Sequence, residues 1–219
     1  MNQLNSFIKL VNQLQCAPAK NLEAVLEWIR NDELVTFFSW KMFSISNLDF
    51  DAAEADRYID KEKAFIKTLL NLKIKFSYIK LIPDELPKIF YNRDCNSQAK
   101  RFSSQVKAYF QRIYPSTKVI RITQILNQTP SLQKTYSLVF RKSLKSVIDP
   151  EKFQKEVAIR QDRQIALKAF GLFAAETAII FKYFQNPVLL AGQRSIDTYK
   201  YEFCKYPRNR PFLPKLFVI

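Results

Sequence analysis

Four settings in this 219-residue chain place side chains that could do chemistry. The first is a hydroxyl. Ser46 closes the apolar run Met42-Phe43-Ser44-Ile45-Ser46. A serine at the carboxyl edge of a strand can face a ligand crevice, or it can simply cap the turn that follows. The second is a carboxylate. Glu176 lies within Phe170-Gly171-Leu172-Phe173-Ala174-Ala175-Glu176-Thr177-Ala178-Ile179. Burying it there is costly without a partner, so it either meets a structural cation, points to solvent, or lines a pocket and meets a substrate ammonium. The third is a phenol. Tyr206 precedes Pro207, which holds it extended, and its hydroxyl offers either a proton relay or a core edge. The fourth is a set of cations, Lys100, Arg101, Lys107 and Arg112, followed by a second set at Arg141, Lys142, Lys145, Lys152 and Lys155. Either set alone reads as a solvated face. Phosphate contacts need little more than cations on one face, and 35 Lys+Arg against 20 Asp+Glu, a net charge of +15, tips the balance toward a nucleic-acid partner.

Composition removes much else. There is no histidine, which excludes Ser-His-Asp and Cys-His catalysis and every His-ligated metal or haem site. The two glycines, Gly171 and Gly192, cannot build a P-loop or a dinucleotide fingerprint. Cys16, Cys95 and Cys204 are odd in number and far apart, so they read as reduced thiols rather than a disulfide frame or metal cluster. The expectation is therefore no metal, no cofactor and a cytoplasmic setting. The first fifteen residues are too polar for a signal peptide. The longest apolar stretch, 169–181, is interrupted by Glu176, so no membrane partner is expected.

Periodicity supplies the elements that must position these groups. Residues 22–30 have helical spacing, with Asn21 as a cap. Residues 34–46 are aromatic and β-branched and predict a strand ending at Ser46. Residues 51–72 predict a helix, 74–81 a second strand and 97–113 the clearest helix, with Ala99, Phe102, Val106, Phe110 and Ile113 as its buried stripe. A third strand is predicted over 118–125. Helices follow from Pro130 to Leu144, from Asp149-Pro150-Glu151, and from Glu156 to about Phe184, with one or two short strands in the tail. Alternation of strand and helix without repeat or linker predicts one α/β domain over 1–219, with a mostly parallel central sheet. Active sites on such sheets gather at strand carboxyl ends, the positions predicted for Ser46 and Pro83-Asp84.

From about Leu34 to Phe217 the chain resembles the cyclodipeptide synthases, which make diketopiperazines from two aminoacyl-tRNAs. The family's apolar strand ending in a nucleophilic serine is similar to residues 42–46, and its next strand and Pro-Asp loop to 76–84. Its basic tRNA-binding helix resembles 97–113, with Lys100, Arg101, Lys107 and Arg112 in cationic places. Leu126-Asn127-Gln128-Thr129-Pro130-Ser131-Leu132-Gln133 is similar to the stretch after its next strand. The family's substrate-holding glutamate falls on Glu176 and its later catalytic tyrosine on Tyr206. Pro207 matches the subgroup whose tyrosine is followed by proline. The pattern departs at Ser44 for a glycine, at Trp40 for a histidine, at Leu172 for a tyrosine, and in about ten extra residues between Glu176 and Tyr206. An alternative alignment puts Ser39 in the nucleophile's place.

The resemblance implies a Rossmann-like fold similar to the catalytic domain of class I tyrosyl- and tryptophanyl-tRNA synthetases, acting as a monomer without ATP or metal. It implies that Ser46 takes an aminoacyl group from one tRNA and that a second aminoacyl-tRNA extends it to a dipeptidyl-enzyme. Ring closure then releases the cyclic dipeptide. Glu176 would hold the first α-ammonium and Tyr206 would relay a proton. Met42, Ser44, Leu81 and Leu172 would line the aminoacyl pocket, and their apolar character suggests an apolar amino acid. The rival expectations are a family-like protein that binds aminoacyl-tRNA without turnover, and a plain basic RNA-binding module.

Overall fold

Five parallel strands form one sheet in the order β3-β2-β1-β4-β5, seen in a computed structural model that describes residues 3–14, 19, 21–41, 43, 48–85, 87–88, 93–145, 153–154, 157–158, 161–191 and 214–216. Along the chain the elements are α1 (Gln3–Leu14), α2 (Leu22–Arg30), β1 (Val35–Trp40), α3 (Ala52–Asp56), α4 (Ile59–Asn71) and β2 (Phe76–Ile82). They continue as α5 (Asn96–Gln111), β3 (Lys118–Arg121), α6 (Ile122–Gln128), α7 (Pro130–Lys145), α8 (Arg163–Tyr183), β4 (Pro187–Leu190) and β5 (Lys215–Leu216). The expected parallel α/β architecture is present.

β1 is central, paired with β2 from Val35↔Phe76 to Trp40↔Leu81 and with β4 from Thr36↔Pro187 to Phe38↔Leu189. Its neighbours Phe37 and Phe38 point to opposite faces and both are fully buried. On one face Val35, Phe37, Tyr78, Val188 and Leu190 pack under α1, α2 and α4, and Ile82 packs under α5. On the other, Phe38, Ile79, Leu81 and Leu189 meet α6, α7 and α8. The chain steps outward from β1 to β3, then returns to place β4 on the other side of β1. The switch point thus lies between β1 and β4, and the crevice of such a sheet opens at their carboxyl ends.

Several boundaries depart from expectation, each for a physical reason. β1 stops at Trp40, with Lys41 N donating a last ladder bond to Leu81 O at 2.8 Å, so Ser46 does not close the strand but lies six positions beyond it. Residues 51–72 form two helices rather than one: Asp51 caps α3 by accepting from Glu54 N at 3.0 Å, and the chain turns at Arg57-Tyr58. β3 ends at Arg121, because the Asp84 carboxylate accepts the Thr123 N–H at 2.9 Å and holds the first turn of α6. Here β-branched spacing is overruled by a carboxylate from another strand. The long apolar helix begins at Arg163 rather than Glu156. Gln161 has φ of 55°, and Asp162 Oδ1 accepts from Gln164 N at 2.7 Å and Ile165 N at 3.0 Å. Asn21 precedes α2 but makes no side-chain cap. The helix expected from Asp149-Pro150-Glu151 opens outside the described residues.

α8 is also long and apolar enough to cross a membrane, but 67% of its most apolar window is buried inside the protein, as for the core helix of a layered fold. It packs closely on α7. A Cβ on Gly171 would come within 2.9 Å of Phe140 Cδ2 and 3.3 Å of the Phe140 carbonyl oxygen, so the absent side chain lets the helices approach. Lys182 Nζ donates to Thr135 Oγ1 at 3.1 Å. A later residue of α8 therefore meets an earlier residue of α7, and the helices run antiparallel.

Candidate active site at the carboxyl edge of the sheet

Glu176 sits at the level of the strand carboxyl ends. It precedes the end of α8 by seven residues, a rise of about 10 Å. β4 runs back over a similar height of about 10 Å. The side chain is only 2% exposed, and its Oε1 has no hydrogen-bond partner. Burial raises the proton affinity of this carboxyl well above the ordinary value, and the charges of Asp84 and Glu85 beyond β2 add to the effect. Of the readings open from sequence, solvent exposure is excluded, and no structural cation bonds it among the described residues. Leu172, one helical turn away, and Leu81 on β2 are buried in the same apolar cluster, as the expected pocket requires.

The proton on Glu176 has a measurable consequence. The group stays uncharged in the fold where the unfolded chain ionises it. Its contribution to stability is therefore full below the ordinary carboxylate pKa and falls as pH rises above it. Thermal unfolding followed by circular dichroism at several pH values checks this. The Tm of the wild type should drop relative to Glu176→Gln between about pH 5 and pH 8. Equal slopes in the two proteins would show that the carboxyl is charged in the fold.

Asp84 organises the neighbouring wall. Besides the Thr123 N–H it accepts from Thr123 Oγ1 and, at 3.1 Å, from Arg121 Nη1, which also donates to Asn96 Oδ1 at 2.9 Å. One carboxylate thereby ties the end of β2 to the starts of α5 and α6. Beside it opens a cleft of about 410 Å³ lined by Asp84, Glu85, Lys88, Arg93, Asn96 and Thr123 among others.

Ser39 faces away from Glu176. Successive residues of β1 alternate, so Phe38 lies against the α6–α8 layer and Ser39 on the opposite face with Lys80, its register partner. Lys80 is fully buried, and its three donors are all engaged: Ser39 Oγ at 2.9 Å, Glu62 Oε2 at 2.6 Å and Tyr78 OH at 2.8 Å. Tyr78 OH donates to Glu62 Oε2 at 2.7 Å. The ammonium also lies 4.0 Å from the Phe110 ring centroid. Burial pulls the Lys80 ammonium down to about 7 against the attraction of Glu62. Burial alone would raise the Glu62 carboxyl, but the charges of Lys80 and Lys41 and bonds from Lys80 and Tyr78 hold it below the usual range. The sheet thus separates the alternative nucleophile from the candidate carboxylate.

All four cations of the basic helix are exposed on α5, and Ala99, Phe102, Val106 and Phe110 are buried beneath them, with Ile113 beyond the helix end partly buried. Arg101 is engaged by Asp49, which Gln105 also contacts at 3.3 Å. Lys100, Lys107 and Arg112 make no ion pair among the described residues. Arg141, Lys142 and Lys145 are exposed on α7. Met42, Ser44, Ser46 and Tyr206 lie outside the described residues.

Two features escaped the sequence reading. Lys80 is the polar position of an apolar strand, a pattern that ordinarily marks a solvent face. Tyr136 shares the buried stripe of α7 with Leu132 and Val139, and like Glu176 it carries a buried polar atom without a partner.

No family of known proteins and no curated protein matches the sequence. Solved structures do match the fold. A tryptophanyl-tRNA synthetase homolog from Entamoeba histolytica aligns with 99% of this chain and 58% of its own, at 15% identity and a TM-score of 0.65. The tyrosyl-tRNA synthetase of Archaeoglobus fulgidus aligns with 98% of this chain and 63% of its own, at 11% identity and a TM-score of 0.66. That of Aeropyrum pernix aligns with 99% and 62%, at 6% identity and 0.65. The chain spans less than two thirds of the length of each. The Rossmann-like fold of these catalytic domains, expected from the sequence, is shared.

Proposed function

We propose that the protein is a tRNA-dependent cyclodipeptide synthase: an aminoacyltransferase that joins amino acids from two aminoacyl-tRNAs through a serine ester, working as a single-domain monomer. The observation that carries this reading is Glu176, a buried carboxyl with an unbonded oxygen at the carboxyl edge of a synthetase-like sheet. An unpaired buried acid is costly to a purely structural protein and is suited to receive an ammonium. Connectivity supports the other two roles. The chain carrying Ser46 leaves β1 and the chain carrying Tyr206 leaves β4, the two strands that flank the switch point.

The steps balance as acyl transfers. Ser46 Oγ attacks the ester carbonyl of the first aminoacyl-tRNA, and the ribose oxygen leaves with the hydroxyl proton. The amine of the seryl-bound residue attacks the second ester, releasing the second tRNA and leaving a dipeptide on Ser46. The new terminal amine then attacks the seryl ester, forming the ring and returning the proton to Ser46 Oγ. Each amine must shed a proton before it attacks. An ordinary carboxylate is a poor base for an ammonium, but burial brings Glu176 closer to the amine in proton affinity. Tyr206 would pass the proton during ring closure. The missing histidine base is no obstacle, because the ester is already activated.

The basic helix would hold the tRNA. Replacing Lys100 and Lys107 with glutamate should weaken tRNA binding at least tenfold, and should lower the slope of log affinity against log salt by about one per lost phosphate contact. Filter binding over a salt series reads both quantities. Unchanged affinity would make α5 a solvated face. A second reading, a protein that binds aminoacyl-tRNA without turnover, is favoured by one observation: β1 ends at Trp40, short of Ser46. Cyclic dipeptide in the medium of expressing cells separates the two.

A further inference from the structure

We infer that Tyr136 and Glu176 form one amine-binding site, with the Tyr136 hydroxyl supplying the acceptor that Leu172 cannot. The inference rests on the reading of Glu176 given above and extends it to a residue that neither the fold nor the resemblance assigns. Geometry places the pair together. Gly171 abuts Phe140, and Lys182 bonds Thr135, so these contacts bracket the antiparallel helices. Five residues along α8 from Gly171 is Glu176, and four residues back along α7 from Phe140 is Tyr136. The two side chains therefore stand at nearly the same level of the helix pair.

Both are enclosed, with Tyr136 6% and Glu176 2% exposed, and the Tyr136 hydroxyl and Glu176 Oε1 both lack partners. Two orphaned polar atoms at one level of a close-packed apolar interface are the opposite of what an optimised core holds. The charge of Glu176 also raises the Tyr136 phenol, after burial itself. Asp84 and Glu85 from the end of β2 bear on both groups. The surrounding potential is thus negative, and a cation is the guest that relieves it.

A primary ammonium has three donors in a pyramid. Glu176 takes one or two, and a phenol oxygen can accept another. Leu81, Leu132 and Leu172 surround the pair with hydrocarbon. The ligand class is a primary ammonium next to an apolar side chain, which is the α-amino end of an apolar aminoacyl group.

Calorimetric titration of the full chain with L-leucinamide and L-phenylalaninamide tests this, with N-acetyl-L-leucinamide as the uncharged control and uncharged tRNA as the check on the rest of the molecule. The wild type should bind the amides and not the acetylated control. Tyr136→Phe, which keeps the ring that fills the core, should weaken amide binding about tenfold while tRNA affinity stays unchanged. Glu176→Gln should abolish amide binding. Wild-type amide affinity in Tyr136→Phe overturns the role of Tyr136, and loss in Glu176→Gln alone would then leave the reading of Glu176 standing. Parallel loss of amide and tRNA binding in Tyr136→Phe makes the residue structural and overturns the inference. No amide binding to the wild type overturns the site, whatever the product assay returns.

Discussion

Replacing Lys80 with methionine will lower stability by about 3–5 kcal/mol, the cost of stranding a buried carboxylate. Lys80 Nζ is the partner at 2.6 Å that keeps Glu62 ionised in a fully enclosed setting, and it also satisfies Ser39 and Tyr78. Methionine fills a similar volume, so packing contributes little to the loss. The double variant Lys80→Met, Glu62→Gln removes both charges and still lets Tyr78 donate to the side chain at 62. It should recover at least half of the lost stability, since a buried pair is worth far less against neutral substitutes than against a single deletion. Urea unfolding of the two single variants and the double variant measures the coupling. Additive losses would mean that Lys80 and Glu62 do not neutralise each other.

The second large effect is on product. Ser46→Ala should reduce cyclic dipeptide by a factor of about 10³ or more, because the covalent route has no substitute nucleophile. Ser39→Ala should leave product formation near the wild-type level and cost about 1 kcal/mol of stability, one hydrogen bond to Lys80. The contrast follows from the strand pleat: Ser39 lies across the sheet from Glu176 and is already bonded. Product lost in Ser39→Ala and kept in Ser46→Ala would reverse the assignment.

How much of this was legible in sequence depended on the kind of signal. The α5 helix was readable because Ala99, Phe102, Val106 and Phe110 repeat at helical spacing, and periodicity reports burial directly. The parallel sheet followed from alternating strand and helix patterns. Boundaries failed where a distant group decides them. Nothing near residue 122 announces that Asp84 will hold the Thr123 N–H and end β3. The same holds for Asp162, which starts α8 later than its apolar pattern suggests. In the site, an acid amid apolar neighbours marked Glu176 as unusual. Tyr136 was silent because a tyrosine on a buried stripe looks like core, and only its missing partner distinguishes it. Lys80 was silent because alternation predicts a solvent face, whereas α4 and α5 cover it.

The most direct measurement is intact-protein and peptide mass spectrometry after brief incubation of the full chain with a mixture of aminoacyl-tRNAs. The account predicts a mass gain of one aminoacyl group on Ser46, within the tryptic peptide 42–57, together with cyclic dipeptide in the supernatant. An unmodified Ser46 with no cyclic dipeptide, from a protein that still binds tRNA, would contradict it.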